Sequence, residues 1–417
     1  MNALYSLNNV KQLIVLIIGA LLALSVSYEN MASGSWYLIF LLGLASLSRQ
    51  RARELFDDNN ARMMIGLVFF YLLYSFLVNY FNGMTELNKS RVERELYLVG
   101  IPVAVLFMLW LKPSERIFLL SFSASSVVFL YQLYEFWLAG AAGRMDGSAN
   151  AIYYGNAALL VSIMCMAGAY AYKKTRILMV WMILSSIVAF LAFLFSGSRG
   201  GVVSLVALTM FWFLFYLVMK PDRKIIFISS GVLILLILTV IYSPPVQQRI
   251  EQTVKEVETI SNGNYQTSIG YRLLMWDAAM AVFKENPVFG GGYSAYEDEM
   301  NRRGDDGQLI YKAVLKDGRD PHNQILHQAA AKGVVGVFIY IALLFIPFLY
   351  FFRMSSDKNP TRSLVSKCMV SFYVLFFLFG LTITLLDQRK VIVIFGLYYA
   401  YSIYFIIRWS RQEKCDA

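Results

Sequence analysis

The sequence predicts an all-α polytopic membrane protein, on three observations. Of its 417 residues, 58% are hydrophobic and 15% charged, against about 45–50% apolar and about 25% charged in ordinary soluble domains. The mean hydropathy of +0.55 comes from apolar stretches distributed along nearly the whole chain. The basic residues that produce the formal net charge of +10 are placed unevenly between alternate loops.

Taken in order, twelve stretches are apolar enough to cross a bilayer, which needs about 20 residues, fewer where flanking side chains snorkel. They are 13–27, 36–48, 64–82, 95–111, 117–139, 151–172, 177–195, 202–219, 225–242, 334–352, 368–386 and 391–407. With the N-terminus inside, twenty Lys and Arg fall in cytoplasmic segments, seven in short outer loops and ten in one long outer loop. Long loops weigh little in the positive-inside rule, so both termini are expected in the cytoplasm. The same asymmetry makes the basic excess a topology signal and argues against a nucleic-acid partner. Three scattered cysteines, Cys165, Cys368 and Cys415, exclude a disulfide scaffold or a zinc module.

The expected organisation is nine spans over 1–242, a helical module on the outer face over 243–333, and three spans with a cytoplasmic tail over 334–417. A structureless loop as long as 243–333 is improbable. Ile250, Val254 and Val257 recur at helical spacing within 247–260, and a second helix fits 271–285, ended by Asn286-Pro287 and Gly290-Gly291-Gly292. On that second helix Arg272, Met275, Trp276, Ala279 and Phe283 share a face, which directs the Arg272 guanidinium inward or onto the membrane surface, or packs it on Trp276.

Two further features interrupt the apolar pattern. In Asp320-Pro321-His322-Asn323, Asp320 suits an N-cap and Pro321 a first helical position, which would put His322 in the first turn. There the positive helix end disfavours imidazolium and leaves the ring able to accept a proton, the alternative being an interfacial histidine with no chemical role. His322, Leu326, Ala329, Gly333 and Gly336 would then form one stripe. His327 falls on another face, which speaks against a two-histidine metal site. In Ser196-Gly197-Ser198-Arg199-Gly200-Gly201, either an arginine at membrane depth pairs with an anion and the glycines let a bulky headgroup approach, or the segment is a tight turn with a snorkelling anchor. The acids Glu297, Asp298, Glu299, Asp305 and Asp306 read as solvated loop charges. Two arginines and one histidine at the outer face suggest work on an anionic lipid headgroup: guanidinium forks match phosphate oxygens, and a diphosphate so held needs no obligatory metal.

On these residues the chain resembles the bacterial O-antigen ligases, within the larger ligase/polymerase superfamily. Their signature is His, then Asn, Ser or Gln, nine residues, Gly, two residues, then Gly, Thr or Tyr. Here it reads His322-Asn323, residues 324–332, Gly333, Val334-Val335, Gly336, without departure. The superfamily's Ser-Arg-Gly-Gly turn appears as Ser198-Arg199-Gly200-Gly201, and its arginine–tryptophan helix with a following turn as Arg272, Trp276, Pro287, Gly290 and Gly292. The resemblance implies a metal-independent, cofactor-free, inverting glycosyltransferase of a Gram-negative inner membrane. Its donor would be O-antigen on undecaprenyl diphosphate and its acceptor a sugar hydroxyl of lipid A–core. By carry-over His322 is the general base, and Arg199 and Arg272 bind the donor diphosphate. Asp387 matches an acidic position of some ligases, and Arg319 and Arg389 are further candidates for the same anionic surface. The rival readings are an O-antigen polymerase or a protein O-oligosaccharyltransferase, and, in another class, a transporter of the same lipid.

Overall fold

The computed structural model describes residues 2–141, 143–219, 227, 230, 231, 234, 244–308, 310–317 and 320–416. Among them the chain is helical, with no strand. Ten helices are long and apolar enough to cross a membrane, or eleven if one bent pair is counted as a span. The ninth stretch, 225–242, lies almost wholly outside the described residues.

The first half holds α1 (Asn2–Ser27), α2 (Met31–Ala45), α3 (Arg49–Phe56), α4 (Asn59–Phe81), α5 (Glu86–Glu95), α6 (Gly100–Leu111), α7 (Glu115–Leu138), α8 (Ala151–Ala171), α9 (Arg176–Ser196) and α10 (Arg199–Met219). The short second stretch is α2, which bends by 111° into the charged α3. Local chemistry sets many of the starts: the side chains of Asp58 and Ser114 accept backbone N–H groups at the heads of α4 and α7, meeting donors that the first turn leaves unpaired. The core follows α8 and the last two helices of the chain, Pro360–Gly380 and Arg389–Asp416, whose inward faces are nearly continuous apolar and aromatic surface.

Residues 244–317 form α11 (Pro244–Ser261), α12 (Ser268–Glu285), α13 (Ser294–Asp305) and α14 (Ile310–Asp317). The two helices expected at 247–260 and 271–285 are therefore present, each slightly longer. Leu274, Met275, Ala278, Ala279 and Val282 of α12 pack with Tyr296, Met300, Tyr311, Val314 and Ala330 in a second core. That core includes the head of α15 (Gln324–Met354), so the module is seated on the helix that continues into the membrane. α16 (Pro360–Gly380) and α17 (Arg389–Asp416) complete the chain.

Two expectations about this region are corrected. The eleventh stretch stops at Gly380, and residues 381–388 form a turn instead of continuing a helix. The helix after His322 begins at Gln324, not at Pro321. Asn323 is its N-cap, accepting the amides of Ile325 and Leu326, while Asp320 is engaged by His322 and Thr384. His322 therefore precedes the helix, and the stripe joining it to Gly333 does not form. α15 is also broken: Gly333 has φ 64° and ψ −167°. A backbone segment lies against the break, with Gly291 N and Gly292 N donating to the carbonyls of Ala330 and Ala331, and Val334 N donating to Pro287 O. A Cβ on Gly333 would overlap Val288 O, and one on Gly290 would overlap Lys332 N. These glycines let two backbones meet where side chains could not fit.

Candidate active site

The turn Leu381–Gln388 is where the separate sequence motifs converge. Asp320 Oδ1 accepts the Thr384 hydroxyl and, at 2.8 Å, the His322 amide. Gln324 Oε1 accepts the amides of Leu385 and Leu386 at 2.7 and 2.8 Å. Tyr153 of α8 donates to Thr384 O. The head of α10 abuts the same turn, since a Cβ on Gly200 would lie 2.6 Å from Thr382 Oγ1. Four stretches far apart in sequence thus meet at one end of the bundle.

His322 occupies the left-handed region, with φ 48°, uncommon for a residue with a Cβ and a mark of local strain at functional positions. Its Nδ1 is buried with no hydrogen-bond partner among the described residues, 3.6 Å from Asp320 Oδ1, and the side chain is about one-third exposed (31%). Asp320 therefore faces the inner nitrogen, too far for a hydrogen bond.

Arg199 opens α10 and is exposed. The turn before it is fixed by Arg144, which donates to Ser196 O at 2.8 Å and Gly197 O at 3.1 Å, and by Ser198, which donates to Asn156 Oδ1. A guanidinium at a helix N-terminus adds its charge to unpaired amides, an arrangement suited to phosphate. Arg272 is half-buried on α12 and forms no ion pair among the described residues. Burial pushes the pKa of its guanidinium down. One turn later Trp276 Nε1 donates to Pro321 O at 2.9 Å, so the helix carrying Arg272 is clamped to the backbone just before His322. Trp276 thus acts as a tie to that loop.

Asp387 is drawn inward. Its carboxylate lies 3.0 Å from Arg91 Nη1 and 3.2 Å from Arg94 Nη1, and both Asp387 and Arg91 are buried. Burial pushes its pKa up to about 6, against the opposing pull of the two guanidinium groups. Arg389 follows it, exposed at the head of α17, and Arg319 lies outside the described residues.

Sequence reasoning missed the charged cluster under this turn. Lys332 Nζ donates to Glu95 Oε1 at 2.7 Å with both side chains buried. Glu95 also accepts the hydroxyls of Tyr71, Ser75 and Tyr293. Arg91 Nη1 lies 3.3 Å from Nε2 of the buried His327, whose ring stacks on Tyr293. Burial and the Glu95 carboxylate hold the Tyr293 phenol well above its ordinary pKa, keeping it a donor. Gly336 leaves room for the stem of Lys332, since a Cβ there would overlap Lys332 Cβ. The one available signal was Lys332 itself, a lone cation at the edge of an apolar span and inside the ligase signature.

A model of the O-antigen ligase family matches residues 184–341, which contain Arg199, Arg272 and His322. An uncharacterized protein of Haemophilus influenzae is 23% identical over 343 residues, covering 80% of this chain and 82% of the relative. An O-antigen ligase of Escherichia coli K12 is 26% identical over 136 residues, covering 31% of this chain and 32% of the relative.

Proposed function

We propose that the chain is an O-antigen ligase, a reading supported by the family model over residues 184–341 and by the likeness to an O-antigen ligase, and that it transfers O-antigen polysaccharide from undecaprenyl diphosphate to a sugar hydroxyl of lipid A–core. The supporting observation is the convergence of the Arg199 turn, the His322 loop and, through Trp276, the Arg272 helix around Leu381–Gln388. Arg199 and Arg272 bind the donor diphosphate; Arg272, half-buried and without a carboxylate partner among the described residues, suits that anion.

The acceptor hydroxyl attacks the anomeric carbon from the face opposite the diphosphate, while His322 Nε2 takes its proton. The carbon–oxygen bond to the diphosphate breaks as the new one forms, and the leaving group departs with the electron pair onto the two guanidinium groups. Asp320, 3.6 Å from Nδ1, stabilises the resulting imidazolium. The anomeric configuration inverts. In this reading the protein lies in a Gram-negative inner membrane with both termini cytoplasmic. Residues 243–333 form a periplasmic module between spans in 1–242 and 334–417, and the site faces the periplasm.

The test is transfer by purified protein from undecaprenyl-diphosphate glycan to lipid A–core in EDTA, with wild type and His322→Ala. Glycan on the core with wild type alone, and donor binding retained by the variant, is the expected result. Undiminished transfer by His322→Ala would remove its assigned role. Longer glycans left on undecaprenyl diphosphate would identify a polymerase, and glycan on a protein side chain a protein O-oligosaccharyltransferase.

A further inference from the structure

Two adjoining cavities lie beyond the Leu381–Gln388 turn, and neither is lined by Arg199, Arg272 or His322. The first, 620 Å³, is walled by Trp36, Tyr37, Phe40 and Tyr97, with Arg94 and Arg389 at one side. The second, 500 Å³, shares both arginines and adds Glu29, Asp387, Gln388 and Lys390. The shared arginines make these one groove, of the size that a ligand headgroup occupies.

The groove changes character along α2. Asn30 and Ser33 line it at the head of the helix, and Tyr37 and Phe40 follow at successive turns into the apolar segment. Tyr37, Leu38 and Leu41 are exposed on α2, the surface that the bilayer covers. Its polar end carries three cations, Arg94, Arg389 and Lys390, beside three carboxylates, Asp387, Glu29 and Glu93. Arg94 is fixed by Asp387 O at 3.0 Å, Asp387 Oδ1 at 3.2 Å and Ser90 Oγ at 3.1 Å. Asp387 is shared with Arg91, so the three groups retain positive charge. Arg389 has no ion pair among the described residues, and Lys390 Nζ bonds only to the neutral Ser148. Glu29 and Glu93 stand exposed on the walls as acceptors for hydroxyl groups.

We infer that this groove binds the phosphorylated sugar headgroup of a glycolipid, which on the transferase reading is the acceptor. Its phosphate lies against Arg389 and Arg94, its hydroxyls near Glu29 and Glu93, and its acyl chains along Tyr37 and Phe40. Donor and acceptor then approach the Leu381–Gln388 turn from separate sides. The turn connects them physically, because Thr384 holds Asp320 beside His322 while Asp387 holds Arg94 in the groove.

The experiment measures binding without donor, in nanodiscs, by native mass spectrometry. The probes are lipid A–core with its phosphates, the same glycolipid after phosphatase treatment, phosphatidylglycerol and undecaprenyl diphosphate. Wild type is expected to prefer the phosphorylated glycolipid by about tenfold, the scale of one charge-assisted contact. Arg389→Gln is expected to lose that preference and keep its binding of undecaprenyl diphosphate. Tyr37→Ala is expected to weaken both glycolipid forms equally. Unchanged discrimination by Arg389→Gln, equal binding of phosphatidylglycerol, or loss of undecaprenyl diphosphate binding would each overturn the assignment. No transfer enters the measurement, so failure of the transferase reading leaves this result separately readable.

Discussion

Lys332 and Glu95 form a 2.7 Å ion pair with both side chains shut off from solvent, 0% and 1% exposed. It ties the broken α15 to the end of α5, beside the turn that holds His322. Removing one member of such a pair leaves an uncompensated buried charge, at a cost of about 3–5 kcal/mol. Lys332→Met is therefore expected to unfold at a clearly lower temperature than wild type in detergent. Adding Glu95→Gln is expected to recover much of the loss, since the amide is uncharged and its oxygen still accepts hydroxyl donors. A double variant as unstable as the sum of the singles would show that the pair does not couple the helices.

Gly333→Ala tests the break directly. In an uninterrupted helix this change would stabilise by about 0.5–1 kcal/mol. Here the residue has positive φ and a Cβ would collide with Val288 O, so the sign reverses. Lower thermal stability and at least tenfold slower transfer are expected, because the displaced segment also carries the chain from α12 to Tyr293. A variant more stable than wild type would mean that the helix runs straight through.

Much of the architecture was legible because burial along a span leaves a long apolar signature. The motifs of the candidate site were legible as residue types in fixed spacing. The break at Gly333 was not: a glycine in a helical stripe reads alike whether it admits a neighbouring helix or ends the helix. Only the Pro287–Gly292 segment alongside decides, and that is a long-range contact. The start of α15 was misplaced because Asp320 and Asn323 are both good caps by type, and Thr384, far along the chain, claims Asp320. Arg91 reads as an outer-loop cation and Glu95 as the first residue of the fourth span; the ion-pair partners of both lie hundreds of residues away.

Asp387 gives a pH dependence of known sign. Its folded pKa of about 6 lies above its ordinary 3.8, so the folded state binds more protons between these values. Its contribution to stability is fully present below 3.8 and declines as pH rises through about 6. Its ion pairs with Arg91 and Arg94 follow the opposite course, forming as the carboxylate ionises. If those pairs fix the turn beneath His322, transfer rises through pH about 6 in wild type. Asp387→Asn is expected to lose that limb and to be slower throughout, with donor affinity little changed. A pH–rate profile that keeps the limb in Asp387→Asn would assign it to another group.

The diphosphate role proposed for Arg272 is best separated from simple charge by Arg272→Lys. The guanidinium sits half-buried, without a carboxylate partner among the described residues, on a helix clamped by Trp276 to the backbone before His322. Lysine keeps the charge but offers a single ammonium in place of a two-pronged donor, and its longer-range attraction cannot fix the diphosphate's orientation. Loss of a charge-assisted hydrogen bond costs about 1.5–3 kcal/mol, or roughly 10- to 150-fold. The loss is expected mainly in kcat, because leaving-group charge develops as the bond breaks and the lost contact strengthens there. Wild-type rates in Arg272→Lys with full loss in Arg272→Gln would show that charge alone suffices. An equal rise in KM with kcat unchanged would place Arg272 in ground-state binding of the donor.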